Sequence, residues 1–62
     1  MTNPHLVLVV DDEEEIRDYL GTILEDEGFE VERAADGHRA LELVRQRKPD
    51  FISLHLVMPD RP

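Results

Sequence analysis

Sixty-two residues make one small domain at most, and a domain of that size buries only ~60% of the surface its unfolded chain exposes. Cysteine is absent, so added stability must come from a metal, a partner or self-association rather than from disulfides. Fifteen acidic residues against seven basic ones give a formal charge of −8, which argues against nucleic acid or an anionic membrane as partner.

The chain opens on Met1-Thr2-Asn3-Pro4-His5, which lacks the cationic start of a signal peptide. Its longest apolar run falls far short of the ~20 residues that a membrane-spanning helix needs. A soluble, cytoplasmic protein is the expectation.

Leu6-Val7-Leu8-Val9-Val10 follows, running straight into Asp11 and Asp12. An uninterrupted apolar run suits a strand buried on both faces, as in a parallel sheet covered by helices. The two carboxylates then fall at the strand's carboxyl end, where open α/β sheets place their ligand sites. Adjacent carboxylates repel. A cation, a helix N-terminus or water is therefore expected beside them.

Asp12 is the expected cap of a first helix, with Glu15 completing a capping box. Ile16, Tyr19, Leu20, Ile23 and Leu24 recur at helical spacing and form one apolar stripe. Gly21 weakens that helix and so marks a position for close packing on the sheet. Gly28 supplies the stop. Phe29-Glu30-Val31-Glu32-Arg33-Ala34 alternates apolar and polar residues, as a half-exposed strand at a sheet edge does. Asp36-Gly37 reads as a loop that caps a second helix, His38 to Arg47, with Ala40, Leu41 and Val44 as its stripe and Leu43 widening it. Pro49 ends that helix, and Phe51 to Met58 forms a third, near-continuously apolar strand.

The order is β-α-β-α-β. Right-handed crossovers put one helix on each face when the second and third strands flank the first. The parallel sheet then has the order 2-1-3, and Asp11 and Asp12 come close to His55. His5 and His38 are expected at the surface.

Several segments carry a resemblance: Leu6 to Glu13, Glu27-Gly28-Phe29, Ala34-Ala35-Asp36-Gly37, Pro49-Asp50-Phe51 and Met58-Pro59. In order and spacing they resemble a response-regulator receiver domain over nearly the whole chain. The resemblance implies a truncated flavodoxin-like α/β domain over residues 1–62. In that family a pair of acids binds Mg²⁺, and an aspartate ending the third strand takes phosphate from a histidine kinase. The metal neutralises charge while the carboxylate attacks. Asp11 and Asp12 match the metal pair, and Val57 matches the residue whose backbone carbonyl reaches the metal.

His55 stands at the phosphoacceptor position, in His55-Leu56-Val57-Met58-Pro59. Imidazole cannot form an acyl phosphate, and it exchanges a hard oxygen ligand for nitrogen. The sequence stops after the third strand, short of the hydroxyl residue and the lysine that the family uses to sense phosphate. Asp50 lies at the wrong end of the strand, and Asp60 in a terminal loop.

The expected function is accordingly that of a degenerate receiver-like interaction module, not an enzyme, within two-component signalling. It is expected to form a homodimer by pairing third strands across a two-fold axis, with a histidine kinase or other signalling protein as a further partner. One alternative is a divalent-metal module using Asp11, Asp12 and His55, whose nitrogen favours Zn²⁺, Mn²⁺ or Ni²⁺ over Mg²⁺. Another is a residual phosphoacceptor domain. No cofactor beyond such a cation is expected.

Overall fold

A computed structural model describes residues 4–55. Strands β1 (Leu6–Asp11), β2 (Glu30–Ala34) and β3 (Phe51–His55) alternate with helices α1 (Glu14–Asp26) and α2 (Gly37–Arg47). The strands form one parallel sheet in the order β2-β1-β3. This is the β-α-β-α-β arrangement that the hydrophobic pattern implied, and the truncated flavodoxin-like fold that the resemblance implied.

The register sets Val7 beside Val31 and Phe51, and Val9 beside Arg33 and Ser53. Side chains alternate along a strand, so these residues share the face that α1 covers. Leu8 and Val10 point the other way and pack with Ala34 and Leu43, joined by Ala40 and Val44 of α2. All six residues of β1 are buried, as a strand flanked on both edges and covered on both faces must be.

The start of α1 differs from expectation. Its cap position is Glu13, whose side chain makes no capping hydrogen bond. Asp11 Oδ1 accepts the Glu13 N–H at 2.9 Å instead, and Asp12 is left exposed. The last residue of β1 thus does the work assigned to Asp12, because the chain turns directly over its carboxylate. At the far end, Gly28 takes φ +96°, a left-handed conformation that glycine adopts at little steric cost.

α2 begins as foreseen, one residue early, with Asp36 Oδ1 accepting the Arg39 N–H at 2.8 Å. Its stripe is displaced: Leu43 is 3% exposed and Leu41 is 58% exposed. Ala40, Leu43 and Val44 sit at helical spacing over β1 and β2, while Leu41 turns toward the uncovered side of β3.

In β2 the alternation breaks at Arg33-Ala34. Arg33 takes the apolar face, its guanidinium lying where a Cβ on Gly21 would stand, within 3.6 Å of Asp18 and 3.4 Å of Glu25. The glycine is what lets α1 settle over that side chain. On the opposite face Glu30 and Glu32 both accept hydrogen bonds from Arg47 of α2, and Ala34 is buried beside Val10.

Beyond β1 lies β3, the outermost strand among the described residues, with every residue exposed. The expected extension of this strand to Met58, with Val57, lies outside the described residues.

Candidate functional site

The two carboxylates that end the apolar run part company in the folded chain. Asp11 is fully buried, whereas Asp12 is exposed. Asp11 Oδ1 is satisfied by the Glu13 N–H, but Oδ2 has no hydrogen-bond partner among the described residues. A buried anionic oxygen without a partner is costly. The N-terminal end of α1 lies at this carboxylate and offsets its charge, and His55 Nδ1 lies 3.3 Å from Oδ2. Asp11 and His55 are direct neighbours across the β1–β3 ladder, so the parallel register itself brings them together.

Arg17 adds a positive group that the sequence reading did not single out. Its Nη1 donates to the Asp11 backbone carbonyl at 2.9 Å, reaching back from the first turn of α1 over the strand end. The only available signal was a lone arginine among the acids that open the helix. The edge therefore carries a carboxylate, an imidazole and a guanidinium around the end of β1.

As a cation site the described part is incomplete. An unpaired buried oxygen beside an imidazole suits a metal ion in donor chemistry, with nitrogen favouring a transition metal over Mg²⁺. Yet no group of three or more His, Asp or Glu side chains among the described residues is placed to hold one. Asp11 and His55 come together; Asp12 does not join them. Val57 and Asp60 lie outside the described residues.

Asp50 sits at the opposite end of the sheet, as expected, and has a structural task there. Its Oδ2 accepts the Leu6 N–H at 2.8 Å, and its own N–H donates to the Leu6 carbonyl at 2.8 Å. That double link fixes where β3 starts against β1. His5 and His38 are exposed, and the His5 ring meets Phe51 edge-on at 5.7 Å.

The other conspicuous surface is β3 itself. On the α1 side an apolar groove runs between Leu20, Leu24 and Phe51. On the α2 side a second one runs between Leu41, Val44, Ile52 and Leu54. No helix among the described residues is long and apolar enough to cross a membrane.

Sheet order, helix placement and the acid-bearing end of the central strand are all shared with one family. The model of the response regulator receiver domain matches residues 7–62, and the chain belongs to that family of two-component signalling modules.

Proposed function

We propose that this receiver domain acts by binding, as a non-enzymatic module of two-component signalling, and carries no phosphoryl group at position 55. The observation behind this reading is the Asp11–His55 pair at the carboxyl edge, 3.3 Å apart. The residue facing the buried acid is an imidazole, which cannot become an acyl phosphate, and it leaves Asp11 without a hard oxygen ligand opposite it for Mg²⁺. Partners of the family's usual kind, a histidine kinase or another signalling protein, would meet a surface and not a reactive carboxylate. The binding surface in this reading is the outer edge of β3, and its partner is a second copy of the chain. The large apolar side chains of that strand favour this, with Phe51 56%, Ile52 52% and Leu54 66% exposed.

The experiment is intact mass measurement after incubation with a small acyl-phosphate donor and Mg²⁺, beside a receiver that has aspartate at this position. An unchanged mass is expected. A phosphoryl adduct stable to base and labile to acid would locate phosphate on a histidine and overturn the reading, as would an adduct labile to hydroxylamine.

The unpartnered Asp11 Oδ2 favours a second reading, a divalent-cation module using Asp11, Asp12 and His55. Calorimetric titration with Zn²⁺ and with Mg²⁺ tests it. Heat with Zn²⁺ that is lost in H55A supports it, and silence with both ions removes it.

A further inference from the structure

We infer that the Asp36-Gly37 bond is a site of spontaneous isomerisation to isoaspartate, withheld by the cap that starts α2 and released when that cap opens.

The chemistry belongs to the dipeptide. The Gly37 backbone nitrogen attacks Cγ of the protonated Asp36 carboxyl group. A five-membered succinimide closes, and the carboxyl hydroxyl leaves with the amide proton as water. Water then opens the ring at either carbonyl. Opening at the side-chain carbonyl restores aspartate. Opening at the backbone carbonyl leaves the main chain running through Cβ and Cγ, which is isoaspartate. No oxidant, reductant or cofactor takes part, and the mass of the chain is unchanged. Glycine after the acid is the favourable case, because no Cβ shields its nitrogen. No other aspartate in the sequence precedes a glycine, and Asn3 precedes Pro4, which has no N–H to lose.

The folded backbone keeps the reacting atoms apart. Ring closure requires the Gly37 nitrogen to eclipse the Asp36 Cβ about the Cα–C bond. Asp36 takes φ −153° and ψ 173°, and at that ψ the two atoms are staggered instead. Two hydrogen bonds hold them so. Oδ1 accepts the Arg39 N–H at 2.8 Å and fixes the side chain. The backbone carbonyl accepts the Ala40 N–H at 3.1 Å and fixes the peptide plane. Both must be released before the ring can close, and helix ends are where such bonds open most readily.

The fold does not itself demand glycine at position 37. Its backbone lies outside the left-handed region that Gly28 occupies. Among the described residues no heavy atom stands within 4 Å of where its Cβ would be. Alanine would fit there and would favour the helix. The missing side chain thus exposes the nitrogen to reaction without serving a turn or a close contact.

The product cannot resume the cap. Isoaspartate adds one carbon to the main chain and moves the free carboxylate onto Cα. The carboxylate that received Arg39 and the carbonyl that received Ala40 are both displaced, so α2 starts uncapped. Ala40, Leu43 and Val44 of that helix close the core over Leu8 and Val10 and are then held less firmly. Isomerisation gives a chain of equal mass and charge whose α2 side is weakened.

The test incubates the unmodified 62-residue chain at mildly acidic pH, in buffer and in guanidinium chloride. Isoaspartate is measured with a protein-isoaspartate methyltransferase and located by electron-transfer fragmentation. It is expected at position 36, forming at least ~10-fold more slowly in buffer than in denaturant. G37A should keep the far-ultraviolet spectrum and lose the signal in both conditions. A40G weakens the first turn of α2 and leaves the dipeptide intact, so it should react faster than the unmodified chain in buffer and at the same rate in denaturant. Equal rates for the unmodified chain in the two conditions, or no acceleration of A40G in buffer, would overturn the control by the cap. Absence of isoaspartate at position 36 in denaturant, or its persistence in G37A, would overturn the site itself.

Discussion

β1 and β3 are both short runs of large apolar residues in one parallel sheet, and they end in opposite environments. Every residue of β1 is buried and every residue of β3 is exposed. Neither composition nor pairing with a neighbour accounts for the contrast, because the two strands lie side by side over five residue pairs. Position does. β1 has a strand on each edge and a helix on each face, whereas among the described residues β3 has β1 on one edge and only the margins of α1 and α2 beside its faces. Full burial of an Ile, Leu or Phe side chain is worth ~1.5–3 kcal/mol. The half-exposed side chains of β3 thus leave about 1 kcal/mol each unrealised in the single copy, by the same measure.

The largest expected effect comes from emptying the buried strand. L8A should destabilise the fold by ~2–5 kcal/mol, read as a lower midpoint in urea at any protein concentration. I52A should instead lower the midpoint in a way that depends on concentration, because in the proposed dimer the second copy covers the exposed half of that side chain. Equal, concentration-independent losses would erase the distinction between the strands.

A smaller effect is expected from guarding the edge. L54K places a charge on an exposed side chain and should weaken the dimer at least ~10-fold, about 1.4 kcal/mol, with the far-ultraviolet spectrum unchanged. An unaltered sedimentation profile would mean that the edge is not the interface.

The smallest concerns the site. H55A removes a side chain that is 64% exposed, and its effect on the stability of the single copy should lie within about 0.5 kcal/mol. In a urea series at low concentration, a loss well beyond that would show that His55, and not the helix N-terminus above Asp11, carries the compensation of the buried acid.

The features legible in the sequence were those set by periodicity and by single turn residues. The unbroken run Leu6–Val10 identified the central strand, and Gly28 and Asp36 identified a helix end and a helix start. The 2-1-3 order followed from crossover handedness, and it put Asp11 beside His55 without any coordinates. What escaped depended on side-chain reach between elements. Asp11 bends over to receive Glu13, so the cap is not where the Asp12 and Glu15 spacing puts it. Arg17 bridges six positions back to the strand end, a distance that no helical pairing rule covers. Arg33 occupies an apolar face only because Gly21, on another element, leaves it room. Leu41 looks like core by spacing, yet it borders the uncovered strand.

Amide hydrogen exchange of the unmodified chain, followed residue by residue at high and low concentration, tests the central claim most directly. Ile52 and Leu54 donate to β1 and should be protected at both. Phe51, Ser53 and His55 donate outward, and the account predicts that they are protected comparably at high concentration and lose that protection on dilution. Free exchange at Phe51, Ser53 and His55 in a concentrated sample, with Ile52 and Leu54 still protected, would contradict it.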